Sequence, residues 1–152
     1  AETGRDMVLW EGSCIVHEAF SLEKLVELYK LHPAAKIVAH PESETHILQV
    51  AHYVGSTSGM LNYVETSDAQ EFIVATEAGI LHQMQLDNPA KTLIPAPSKE
   101  DNTCACSECA FMKVNTLQKL YDCLLSEQPA VLLSEEVIQK ALIPIERMLA
   151  LN

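Results

Sequence analysis

Cys104, Cys106 and Cys109 stand in C-x-C-x2-C spacing within residues 103–113, and they are three of the chain's five cysteines. Thiolates packed this closely on a loop bind a soft metal or cluster, or exchange electrons. A zinc site asks for four ligands, and a second close pair is missing. Cys106 and Cys109 have the spacing of a dithiol that closes readily to a disulfide. An iron–sulfur site needs thiolates from farther away, and Cys14 is a candidate to supply one. Cys14 sits in Gly12-Ser13-Cys14-Ile15-Val16-His17, a turn with a histidine close by. Cys123 falls within a helical pattern and reads as packing.

Two further groups have the right types for chemistry. His40-Pro41-Glu42 places an imidazole and a carboxylate two residues apart on a proline-held turn. Such a pair can bind a ligand and move protons; the alternative is a histidine that merely closes a strand end. Gly55-Ser56-Thr57 opens a helix and reads either as an ordinary N-cap or as an anion cradle of backbone N–H groups and hydroxyls. Thr76 has the same two readings, with the cap favoured. His32, His46, His52 and His82 read as helix-surface or turn histidines.

The elements that carry these groups alternate. Residues 7–10 read as a strand feeding the Cys14 loop, and Ser21 caps a helix that ends at His32-Pro33. Residues 36–39 form a buried strand, and a helix runs from about Thr45 to Ala51. Tyr53-Val54 is a brief strand, followed by a helix through Val64. Residues 71–75 make the clearest strand, and the helix after it stops at Asn88-Pro89. Residues 91–94 are a fourth strand, leading to the cysteine loop. Thr116 caps a helix to about Ser126, residues 131–133 read as a last strand, and Ser134 caps a closing helix containing Pro144.

This alternation predicts an α/β fold, a parallel β-sheet flanked by helices on both faces. In such sheets ligands bind beyond the carboxyl ends of the strands. His40-Pro41-Glu42, Gly55-Ser56-Thr57, Thr76-Glu77 and the cysteine loop each follow a predicted strand, so all four should gather on one edge.

The 152 residues suffice for one domain with a real core, or one and a half small ones. A net charge of −11, with arginine only at positions 5 and 147, disfavours nucleic acid and anionic membrane as partners. No apolar run is long enough to span a membrane. An odd number of cysteines points to a reducing compartment and to metal or redox chemistry. The opening residues are polar, with no signal peptide evident, and the chain reads as part of a longer protein.

Five strings, in order, resemble the carboxyl-terminal part of quinolinate synthase. They are Trp10-Glu11-Gly12-Ser13-Cys14-Ile15-Val16-His17-Glu18, His40-Pro41-Glu42-Ser43, Gly55-Ser56-Thr57-Ser58, Ala75-Thr76-Glu77-Ala78-Gly79-Ile80 and Cys109-Ala110-Phe111-Met112. Each is weak alone; their order makes the likeness specific, and Pro144-Ile145-Glu146-Arg147-Met148 extends it to nearly the whole chain.

The resemblance implies an enzyme of three similar α/β/α domains around a central active site. It would condense iminoaspartate with dihydroxyacetone phosphate to quinolinate, phosphate and water, on the route to NAD. A [4Fe–4S] cluster would be held by three cysteines, one per domain, with one iron open as a Lewis acid. Carried over, Cys14 and Cys109 are cluster ligands, His40 and Glu42 lie near the substrate with Glu42 a general acid/base, and Ser56 and Thr57 bind a carboxylate or phosphate. His17 and Thr76 belong to family motifs as well. Cys104 and Cys106 are additional to the minimal pattern and are candidates for a regulatory disulfide.

The first cluster cysteine and the first-domain substrate residues would lie upstream, so the chain alone is expected to be inactive. Residues 1–20 would then close a preceding domain and carry the Cys14 loop. Residues 21–110 would form the α/β/α domain, and 111–152 a helix-strand-helix segment packing back on the enzyme. An oxidase or dehydrogenase supplying iminoaspartate is a possible partner, and the setting would be cytoplasmic, or plastidial in a plant. The competing reading is a non-catalytic metal- or redox-sensing α/β module built on Cys104, Cys106 and Cys109.

Overall fold

The computed structural model describes residues 4, 6, 8, 12–99 and 107–151. The chain divides into two compact units, Ala1–Lys113 and Val114–Asn152.

The first unit is built on a four-stranded parallel sheet of β1 (Lys36–Ala39), β2 (Tyr53–Val54), β3 (Glu71–Ala75) and β4 (Thr92–Pro95), in the order β2-β1-β3-β4. Among the described residues, five α-helices accompany it: α1 (Ile15–Glu18), α2 (Leu22–Leu31), α3 (Thr45–Leu48), α4 (Thr57–Thr66) and α5 (Gly79–Asp87). The parallel register aligns Ala39 of β1 with Ala75 of β3, so both strands end at the same level.

Alternation along the strands decides which helix covers which face. Ile37 and Ala39 of β1 and Ile73 and Ala75 of β3 point to one side, where they pack with Val16, Phe20, Leu25 and Ile47. Val38, Phe72 and Val74 point to the other and pack with Met60, Val64 and Met84. The sheet thus has α1, α2 and α3 on one face and α4 and α5 on the other, the doubly covered parallel sheet expected from the sequence. Strands buried on both faces carry continuous apolar runs, as Phe72-Ile73-Val74-Ala75 does.

Helix starts follow local chemistry. Ser21 Oγ accepts the Lys24 amide at 3.4 Å and Ser56 Oγ the Gly59 amide at 3.2 Å. Tyr53 and Tyr63 stack with ring centroids 4.4 Å apart, beside the Gly55-Ser56 turn.

The second unit holds α6 (Leu117–Ser126) and α7 (Glu135–Leu149), capped by Thr116 and Ser134. Both are amphipathic, and their apolar side chains, Leu117, Leu124 and Met148 among them, stay exposed. The strand expected over Val131–Leu133 does not form; the segment is irregular. A strand exists only by pairing, and among the described residues this unit offers no other strand to pair with. The α3 helix ends at Leu48, sooner than expected, because the chain turns there toward β2. The strand read over 7–10 lies largely outside the described residues. No helix among the described residues is long and apolar enough to cross a membrane.

Candidate active site at the carboxyl edge of the sheet

β1 has β2 on one side and β3 on the other. The chain therefore leaves β1 in one direction and, after β2, crosses back in the other. The crevice beyond the carboxyl ends of β1 and β3 is the topological switch point, where doubly wound sheets place their ligands. His40-Pro41-Glu42 leaves β1 there, and Thr76-Glu77 leaves β3. The His40 amide donates to the Ala75 carbonyl at 3.1 Å, tying the two exits together.

His17 comes to the same point from α1. Its Nε2 lies 3.0 Å from Thr76 Oγ1. Its Nδ1 lies 3.3 Å from Glu42 Oε2, within ion-pair range but outside hydrogen-bond geometry, so this buried nitrogen has no hydrogen-bond partner among the described residues. A carboxylate only accepts, so these neighbours place the ring proton on Nδ1 and leave Nε2 to accept from the Thr76 hydroxyl. Burial pushes the His17 pKa below the ordinary histidine value, the neighbouring His40 acts in the same direction, and Glu42 opposes both. His40 Nδ1 accepts the Glu42 amide at 3.3 Å, which leaves Nε2 as its proton-bearing, donating nitrogen.

Cys14 is the residue before α1 and is half-buried. One donor atom each from Cys14, His17 and Glu42 falls within 4.8 Å of the others. Gly12, Ser13, Cys14 and Glu42 line an open cleft of about 410 Å³. His17 and Thr76 are buried, whereas the Glu42 carboxylate is exposed at the cleft. Ser43 adds a buried hydroxyl without a hydrogen-bond partner among the described residues. A larger depression, about 820 Å³, lies in the second unit between Asn115 and Pro129, where Cys123 is the only thiol on its wall.

The remaining candidates are placed around this group. Ser56 and Thr57 start α4 at the end of β2, one strand along from His40. Cys109 is half-buried and reaches the site through Glu77, the residue next to Thr76. Cys14 and Cys109 pack against the same apolar cluster. Cys104 and Cys106 lie outside the described residues. Free, half-buried thiols from two separate segments, Cys14 and Cys109, are residue types that suit a thiolate-ligated group. Sequence patterns alone left His17 with no assigned role; its signal was the string it shares with Cys14.

The chain is thus a doubly wound α/β domain that gathers thiol, imidazole and carboxylate groups at its switch point, the place where such sheets bind ligands. The family model described as quinolinate synthetase A protein matches residues 1–150. The chain is 56% identical over 151 residues to a quinolinate synthase of Synechococcus sp., covering 99% of this chain and 47% of the relative. It is 54% identical over 152 residues to that of Thermosynechococcus vestitus, covering 100% of this chain and 47% of the relative. With the enzyme of Chloroherpeton thalassium identity is 50% over 149 residues, covering 98% and 46%. The chain belongs to the quinolinate synthetase A protein family, and it spans about half the length of these relatives.

Proposed function

We propose that this chain is part of a quinolinate synthase, which condenses iminoaspartate with dihydroxyacetone phosphate to quinolinate, phosphate and water in the synthesis of NAD. The observation that carries the reading is convergence. Cys14, His17, His40, Glu42 and Thr76 come from three stretches of sequence and meet at the sheet's switch point. The whole enzyme would have three similar α/β/α domains, with residues 1–20 closing one, 21–110 forming another and 111–152 packing back. The cytoplasm is its proposed setting, with an iminoaspartate-supplying oxidase or dehydrogenase as a partner.

Cys14 and Cys109 would hold a [4Fe–4S] cluster together with a cysteine from the part of the enzyme outside this chain. When bound, such a cluster with one open iron supplies a Lewis acid that polarises a substrate oxygen. The rest of the chemistry falls to this chain's side chains. Glu42, exposed at the cleft, accepts a proton from the condensing substrate and returns it to a departing hydroxyl. His40 Nε2–H donates to a substrate oxygen, since its Nδ1 is already taken. His17, buried, is held by the Thr76 hydroxyl on one side and faces the Glu42 carboxylate on the other. Ser56 and Thr57 receive an anionic substrate group at the start of a ten-residue helix, whose first N–H groups favour negative charge. The isolated chain, lacking the third thiolate, is expected to be inactive.

The test is anaerobic iron–sulfur reconstitution of the chain joined to the amino-terminal portion that its relatives carry. About four irons per chain, lost in Cys14→Ser and in Cys109→Ser but kept in Cys104→Ser, with quinolinate formed by the loaded protein, supports the reading. Metal binding that ignores Cys14 and depends on Cys104 and Cys106 overturns it in favour of a local metal- or redox-sensing loop.

A further inference from the structure

Among the described residues, the loop carrying Cys109 is hydrogen-bonded to the fold at the start of α5. There the Ala78 amide donates to the Ser107 carbonyl at 2.9 Å, and Ser107 is buried. Glu77 adds a second connection through its carboxylate. Oε1 accepts the Cys109 amide at 3.3 Å, and Oε2 accepts the Gly79 amide at 2.7 Å. The Cys109 carbonyl in turn accepts the Lys113 amide at 3.1 Å, so both backbone polar groups of this cysteine are engaged.

We infer that Glu77 is a positioning residue whose carboxylate bridges the first turn of α5 to the Cys109 peptide and so sets where the Cys109 thiol points. The inference rests on the proposed role of Cys109 as a ligand, but the bridge itself does not need the metal.

The glycine at position 79 fits this contact. A Cβ built on Gly79 would fall 2.6 Å from Glu77 Oε2, a distance that real contacts do not reach. The missing side chain lets the carboxylate approach the Gly79 amide closely enough to be held in line with Cys109. The α5 N-cap residue, Ala78, has no side chain to cap the helix, and Glu77 does so in its place. Two oxygens, each facing an N–H donor, require a carboxylate; an amide would turn its own NH2 group toward one of them. A metal-ligating side chain tolerates little displacement, about 0.5 Å, so a clamp on its backbone is a direct means of keeping it in place.

The test uses the full-length enzyme, first in iron-free form. Cys109 alkylation by iodoacetamide is read by peptide mass mapping against Cys14 in the same molecule, and hydrogen exchange is read at the Cys109 amide. Glu77→Gln should raise both at Cys109 by about tenfold relative to Cys14, the effect of losing one hydrogen bond to a charged group. Gly79→Ala, which displaces Oε2 without touching the charge, should reproduce the change. Both variants should then retain less iron after reconstitution. Unchanged exchange and alkylation at Cys109, or an equal rise at Cys14 and Cys109 in both variants, overturns the clamp. Iron retained in Cys109→Ser would overturn the ligand reading, while the exchange measurement would still decide the clamp.

Discussion

The imidazole of His17 lies flat on that of His40, with centroids 4.7 Å apart and the planes 18° from parallel. One ring is buried and comes from α1; the other follows β1. The stack aligns the two histidines so that each meets Glu42 differently, His17 through the carboxylate and His40 through the backbone amide.

His17→Phe keeps a ring to stack on His40 and removes both nitrogens. The Thr76 hydroxyl is then left buried without its partner, at an expected cost of about 1–3 kcal/mol. Thr76→Val in the same chain should recover most of that loss, since it removes the stranded hydroxyl. Denaturant unfolding of the two single variants and the double variant forms a complete cycle. Strictly additive losses would show that the 3.0 Å contact contributes nothing.

His52 governs an acid-sensitive contact away from the site. Its Nδ1 accepts the Ile37 amide at 3.0 Å, at the edge of β1. Partial burial of the ring lowers its pKa, and the Lys36 ammonium lowers it further. A histidine with a lowered folded-state pKa takes up its proton more readily when unfolded. Its contribution is therefore complete above the ordinary value of about 6.5 and declines as the pH falls below it. His52→Asn offers an amide oxygen to the same N–H and cannot titrate. Its unfolding midpoint should fall less than that of the parent between about pH 6.5 and pH 5; parallel curves for the two proteins would contradict this.

Lys91 closes the carboxyl end of α4. Its Nζ donates to the carbonyls of Val64, of Glu65 at 3.3 Å and of Ser67 at 2.8 Å. The same ammonium lies 5.6 Å from the centre of the Phe72 ring. A cation here satisfies orphan helix carbonyls and complements the helix dipole. Lys91→Met should cost about 1–2 kcal/mol, and Lys91→Arg clearly less. Denaturant midpoints at low and moderate salt would read both, and a Lys91→Met loss within error of zero would refute the capping role.

The contribution of local sequence is visible in particular residues. Phe72-Ile73-Val74-Ala75 could only be a strand buried on both faces, and Ser21, Ser56, Thr116 and Ser134 each accept the amide three residues on, as their position before a helix led one to expect. Those are short-range effects, carried by side-chain shape and by hydrogen bonds between near neighbours. Val131–Leu133 shows where such reasoning stops, since an apolar, branched run becomes a strand only if another strand lies beside it.

What the sequence determined by itself, then, was the alternation of strands and helices through the sheet and the identity of loops at the strands' carboxyl ends, with His40, Glu42 and Ser56 among them. The tertiary structure alone decided which of these meet. His17 and Thr76 are 59 positions apart, and Glu77 and Cys109 are 32. Their contacts depend on the strand order β2-β1-β3-β4 and on the register that levels Ala39 with Ala75. No local propensity encodes that register; it is set by burying both faces of the sheet at once, which brings the ends of β1 and β3 to a common edge.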